Sequence, residues 1–297
     1  MEKDILSVIS DQSKRFSKGQ RHIANYITEN YDKAAFMNAV KLGNTVGVSE
    51  STVVRFASML GYDGYPGMRK ALQEMIRNRL TAVQRMEVAK DMMGSQDVLH
   101  GVLSADMEKI RTTLEEVDND AFDRTIEAIC GAERIYILGL RASACLSSFM
   151  GFYLNFMFEN VRIVNDTYVN EPFEQIMNIS EKDVFLAISY PRYSRRTVKA
   201  MRYAKAQGAK TIAMTDGQAS PIAGIADISL FARSDMVSFL DSLVAPLSLI
   251  NALMVALGTR AENEKTLTHT FERLEHIWTE YDVYEKSNDP SEGRAHE

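Results

Sequence analysis

Two stretches of the 297-residue chain hold side chains whose types and spacing could do chemistry. The first is Ser49, Glu50, Ser51, Thr52 and, one helical turn on, Arg55. Short hydroxyls and a guanidinium on the opening turns of a helix suit the base edges of a DNA major groove, where arginine takes guanine and a hydroxyl takes either partner. Arg55 in that place reaches a guanine or a phosphate oxygen. The second is the run S-Y-P-R-Y-S-R-R-T over 189–197, with Ser189, Tyr190, Arg192 and Ser194 followed by Arg195 and Arg196. Hydroxyls beside planar guanidinium donors suit a carboxylate or a phosphate. Arg195 and Arg196 could equally form a solvated helix face. Two more segments of small and polar residues accompany this run: Gly139, Arg141 and Ser143 in G-L-R-A-S, and Thr215 with Ser220 in T-D-G-Q-A-S-P.

Catalytic chemistry is harder to assemble. An isomerase needs a positioned base. Glu159, Glu171 and Glu174 are available, but His269 and His276 lie beyond these segments and no acid-base pair stands out. The reading is therefore of a non-enzyme, with a sugar-phosphate isomerase or lyase as the alternative. Cys130 and Cys145 stand far apart with no histidine cluster near them, which argues against a disulfide framework and a zinc site. Both read as buried or inert thiols, and no metal or cofactor is expected.

The elements that must position these residues follow from periodicity. Residues 39–58 read A-V-K-L-G-N-T-V-G-V-S-E-S-T-V-V-R-F-A-S. Leu42, Val46, Val48, Val53 and Phe56 are spaced to pack two helices together, Gly43 allows close approach, and Gly47 sits where a turn favours positive φ. Ser49 then caps the second helix, its hydroxyl accepting an early backbone N–H. Helices are predicted at 4–13, 18–30, 33–36, 38–46, 50–60 and 65–79, with no strand among them. From 81 to about 120 the chain is polar and helix-prone, with Gly94-Ser95 as its clearest break, and reads as a linker ending in an amphipathic connector. After 134, β-branched runs at 134–140, 161–166, 183–190, 210–216 and 228–233 alternate with helical stretches at 143–158, 195–207 and 238–257. That alternation implies a parallel sheet wrapped by helices, with ligands at the carboxyl ends of the strands. The expected organisation is a helical DNA-binding domain over 1–80, a linker over 81–120, an effector-binding domain over 121–265, and a C-terminal helix and disordered tail over 266–297.

Charge follows the same division. The chain carries −6 overall, but residues 1–80 hold 12 Lys and Arg against 8 Asp and Glu, a net of +4. The remainder holds 22 against 32, a net of −10. Cations concentrated at one end fit a head that meets phosphates on an acidic body. No apolar run is long enough to span a bilayer and the first residues lack an apolar signal core, so the expected location is cytoplasmic, with no membrane partner.

Val48, Ser49, Thr52, Val53, Arg55 and Phe56, followed by Leu60, Gly61, Tyr62, Gly64 and Tyr65, resemble the Val-Ser-x-x-Thr-Val-x-Arg-Phe helix and Leu-Gly-aromatic-x-Gly-aromatic turn of the RpiR family of bacterial regulators. The upstream residues 17–43 resemble the family's first helices. The resemblance implies an all-α helix-turn-helix domain followed by a sugar isomerase (SIS) domain of flavodoxin-like α/β fold. It also implies operator DNA as partner and a phosphosugar or sugar acid as effector. The family's Ser-x-Ser-Gly-x-Thr phosphate loop is altered here. Aligned on Ser189, Pro191 replaces the second serine, Arg192 the glycine and Ser194 the threonine. Proline removes a hydroxyl and a backbone donor, while arginine adds a planar donor set.

One helix-turn-helix covers few base pairs, so a homodimer or homotetramer is expected, reading a palindrome with half-sites about 10 base pairs apart or a multiple of that. The apolar stretch Met150, Phe152, Tyr153, Phe156, Met157 and Phe158 is wide enough to supply core plus an interface, or core alone.

Overall fold

The computed structural model describes residues 5–76, 81, 83–86, 97–165, 172–235 and 240–284. Glu171, the Gly94-Ser95 break and the tail expected to be disordered after 284 lie outside the described residues.

The N-terminal part is helical throughout: α1 (Ile5–Gln12), α2 (Lys18–Glu29), α3 (Tyr31–Ala34), α4 (Ala39–Val46), α5 (Glu50–Met59) and α6 (Gly64–Ile76). Local chemistry sets the ends. Ser17 opens α2 with a capping box, its hydroxyl accepting from Gln20 N at 3.4 Å while the Gln20 side chain accepts from Ser17 N at 2.8 Å. Asn38 caps α4 by accepting from Lys41 N at 2.7 Å. Gly47 closes α4 in the left-handed region, φ 75°. Gly43 is required by contact, because a Cβ there would sit 2.7 Å from the Val48 carbonyl oxygen. Ile23, Ile27, Leu42, Val53, Phe56, Met68 and Leu72 fill the core with no exposure, and Phe16 meets Phe56 edge to face at 5.3 Å. The Tyr65 hydroxyl ties α6 to the turn before α4 by donating to Met37 O at 2.8 Å. Burial, opposed more weakly by Arg69, pushes its pKa up to about 12, so it remains a donor.

The second part holds α7 (Val98–Glu116), α8 (Asn119–Cys130), β1 (Ile135–Gly139), α9 (Ala144–Leu154), β2 (Val161–Val164), α10 (Pro172–Gln175), β3 (Val184–Ile188), α11 (Arg195–Ala206), β4 (Lys210–Thr215), β5 (Ile228–Phe231), α12 (Val244–Gly258) and α13 (Ala261–Glu280). The five strands pair in parallel in the order β2-β1-β3-β4-β5. β1 and β3 are buried along their whole length, which is why they read as continuous apolar runs. Alternation then sorts side chains by face. Ile135 and Ile137 join Leu186, Ile212, Met150 and Leu253 beneath α8, α9 and α12. Tyr136 and Leu138 join Phe185, Ala213 and Met201 beneath α11.

The connector expected at the end of the linker is a helix bound to this domain. Along α7, Asp106 accepts from the Ser242 hydroxyl at 2.7 Å, Thr113 Oγ1 accepts from Arg233 N at 2.9 Å, and Glu116 pairs with Arg233 at 2.6 Å. The expectation that the cysteines are buried is corrected: Cys130 and Cys145 are both free and exposed, because each falls on the outward side of its helix. The aromatic stretch divides. Met150, Leu154 and Met157 are buried, whereas Phe152 is 58% exposed and Tyr153 39%. No single helix among the described residues is long and apolar enough to cross a membrane.

Candidate functional site

Two sites stand out. The first is the opening of α5. Gly47 turns the chain and Ser49, extended at ψ 152°, starts the helix, with Thr52 N and Val53 N donating to its carbonyl. The cap differs from the expectation, since the Ser49 hydroxyl accepts no backbone N–H. It lies 2.9 Å from both Ser51 Oγ and Thr52 Oγ1, so three hydroxyls form one exposed cluster. Neighbouring hydroxyls engage it in place of a backbone N–H. Glu50 and Arg55 are exposed on the same turns, and Arg55 Nε donates to Ser51 O at 3.2 Å, which holds the guanidinium along the helix. Behind this face Val53 and Phe56 are fully buried, so the face is fixed by core packing.

The second is a cavity of about 290 Å³ at the carboxyl ends of β1 and β3. The chain leaves β1 towards β2 on one side and returns to β3 on the other, so this is the topological switch point where open parallel sheets bind ligands. Of the sequence candidates, Arg141, Ser143, Ser189, Tyr190, Arg192 and Ser194 line it. Gly139 lies just behind. A Cβ there would run into the Ser143 carbonyl and lie 2.7 Å from Ser147 Oγ, so the chain can turn there only as glycine. Arg141 takes φ 58°, an uncommon conformation for a residue with a side chain, at an exposed lining position.

Thr215 and Ser220 do not line the cavity. Both are buried behind the β3 loop, where the Thr215 hydroxyl donates to Ser189 O at 2.6 Å and lies 2.8 Å from Ser220 Oγ. They hold the loop from behind. Ser194 caps α11 by accepting from Thr197 N at 3.5 Å. Tyr190 is buried, and its hydroxyl has no hydrogen-bond partner among the described residues. Burial, reinforced by the charge of Asp216, pushes its pKa well above the usual phenol value, so the hydroxyl stays protonated. Arg192 is exposed at the rim, whereas Arg195 and Arg196 lie outside the cavity.

Sequence reasoning missed Arg85 and Asp241, which complete the lining. Arg85 is 4% exposed and its Nη1 meets Asp241 Oδ1 at 2.9 Å. No local signal marks either residue, since Arg85 sits in a polar stretch that reads as linker. Glu159, Glu174, His269 and His276 are exposed and none lines the cavity.

A helix-turn-helix head followed by a parallel α/β domain with a polar switch-point cavity defines a two-domain, DNA-binding transcription regulator. A family model described as a helix-turn-helix domain of the rpiR family matches residues 3–79, and the SIS domain model matches residues 128–256. The chain belongs to the RpiR family of transcription regulators. An uncharacterised HTH-type transcriptional regulator of Caldanaerobacter subterraneus is 24% identical over 267 residues, covering 88% of this chain and 93% of its own. The sugar isomerase domain of an RpiR transcription factor from Sphaerobacter thermophilus superposes with TM-score 0.57 at 26% identity, over 61% of this chain and 99% of that one. The NanR protein of Vibrio vulnificus, solved in complex with ManNAc-6P, shares the fold with TM-score 0.57 at 22% identity, over 92% of this chain and 98% of its own.

Proposed function

We propose that this regulator binds the operator of a metabolic operon through α5 and answers to a phosphosugar or related anionic metabolite held in the switch-point cavity. The observation that carries the reading is the convergence of Arg141, Ser143, Ser189, Tyr190, Arg192 and Ser194 from two separate loops on one cavity. Hydroxyls and guanidinium groups offer an anion several charge-assisted bonds, each worth about 1.5–3 kcal/mol. The ManNAc-6P bound by the Vibrio NanR protein supports a phosphosugar here. Pro191 and Arg192 extend the class to sugar acids, because a guanidinium forks onto a carboxylate as readily as onto a phosphate.

In this reading residues 1–80 are the DNA-binding domain, 121–265 hold the effector, and Ser49, Glu50, Ser51, Thr52 and Arg55 meet the operator. The protein acts as a homodimer or homotetramer and catalyses nothing. Titration calorimetry with a panel of phosphosugars, sugar acids and neutral sugars tests it. An anion is expected to bind, and Arg192→Ala to weaken it by about 10- to 100-fold, the loss of one charge-assisted contact. Tight binding of a neutral sugar, or unchanged anion binding by the variant, would overturn the reading.

A further inference from the structure

Arg192 faces two hollows. One is the switch-point cavity; the other is a groove of about 560 Å³ on the outer side of the 189–194 loop, shared with Tyr193, Arg195, Lys199, Arg202 and Pro221. Positions 195, 199 and 202 are spaced by four and three residues, which stacks three cations on one face of α11. With Arg192 they bring four cations to one concavity, and among the described residues no acidic side chain lines it. None of the four forms an ion pair among the described residues.

Such a cluster needs an explanation. The part of the chain after residue 80 carries a net charge of −10, so cations are the scarcer charge there. Like charges one turn apart weaken a helix, and nothing on α11 offsets that repulsion. Buried Thr197, Ala200, Met201 and Ala204 already hold the opposite face of α11 to the sheet, so the cations are not needed for packing. The wall beside them is fixed, with the Tyr193 hydroxyl donating to Asp216 at 2.8 Å.

We propose that the effector carries two separate anionic groups, one seated among Ser143, Ser189 and Ser194 and a second one over Arg195, Lys199 and Arg202, with Arg192 between them. This rests on the proposed effector role of the cavity and narrows its class. The ligand is a phosphosugar that also carries a carboxylate or a second phosphate. A sugar phosphate with a single anionic group satisfies the cavity and leaves the groove cations uncompensated.

The test uses the full-length protein and calorimetric titration of matched probes: glucose 6-phosphate, fructose 6-phosphate, 6-phosphogluconate, glucose 1,6-bisphosphate and fructose 1,6-bisphosphate. The wild type is compared with the triple variant R195Q/K199Q/R202Q, whose three positions are all exposed. The probes with two anionic groups are expected to bind at least tenfold more tightly than their partners with one. The triple variant should erase that preference and leave the affinity for the probes with one anionic group unchanged. Equal affinity for the two classes in the wild type would overturn this inference and leave the cavity reading intact. Binding of none of the anions would overturn both. A triple variant that keeps the ligand preference but loses operator affinity in a gel shift would assign the groove to nucleic-acid phosphates and overturn the inference.

Discussion

Arg85 and Asp241 meet at 2.9 Å across 156 residues of chain, and both line the cavity. Arg85 stands nine residues beyond the last helix of the DNA-binding core, so the pair ties the segment leaving that core to the wall of the switch-point cavity. On the proposed function, an anion entering the cavity would compete with Asp241 for the guanidinium. Arg85→Gln should therefore uncouple the two sites: the ratio of operator Kd with and without effector falls towards one, while the Kd without effector stays within about threefold of wild type. Coupling is reciprocal, so the operator's effect on effector affinity should vanish with it. Asp241→Asn in the same background closes a double-mutant cycle. A variant with its full effector response would leave the pair a structural tie alone.

Arg55 belongs to the exposed face of α5, and among the described residues its side chain hydrogen-bonds only the Ser51 carbonyl. Arg55→Ala should keep the melting temperature and lose about 1–3 kcal/mol of operator binding, the worth of a base contact. Gel shifts over a salt series read both this loss and the steep salt dependence that counterion release demands. Wild-type affinity in the variant would mean that another surface reads the operator.

Gly139→Ala tests the turn beneath the cavity. The new methyl group meets Ser147 Oγ and the Ser143 carbonyl, and that carbonyl cannot recede without moving the 3₁₀ turn at Arg141–Ser143. Effector affinity should fall at least tenfold while operator binding without effector is unchanged. Unaltered titration curves would show that this turn does not shape the site.

Asp227 carries a pH prediction. Burial pushes its carboxyl up, but hydrogen bonds from Thr211 N and Oγ1 and from Lys205 outweigh that, so its pKa lies below the usual carboxylate value. A depressed folded-state pKa stabilises the protein above the unfolded-state pKa and ceases to do so as pH falls through the folded value. Asp227→Asn should destabilise by about 1 kcal/mol near neutrality, since the site is partly exposed. The gap should close below about pH 4. A pH-independent difference in denaturant midpoint would assign the loss to packing.

The helix-turn-helix was legible because its constraints are local. Gly43, Gly47 and the apolar spacing from Leu42 to Phe56 each act within twenty residues, and the structure satisfies them where expected. The five strands were legible because parallel strands buried on both faces read as apolar runs. What escaped depends on long-range geometry or on direction. Nothing near Arg85 announces Asp241. Thr215 and Ser220 are polar residues at a strand end like Ser189, and only the fold shows that they face the back of the loop. The missing side-chain cap at Ser49 was decided by hydroxyl neighbours whose orientation no spacing rule gives.

The apolar cluster of the DNA-binding part closes on itself. Every buried member lies between Ile5 and Ile76, and none comes from the α/β domain. A core assembled entirely from one end of the chain can melt and refold on its own, so calorimetric scans should show two transitions, with effector raising only the second. The same closure makes the head a transplantable part: fused to a foreign sensor domain, residues 1–80 would carry their operator preference with them.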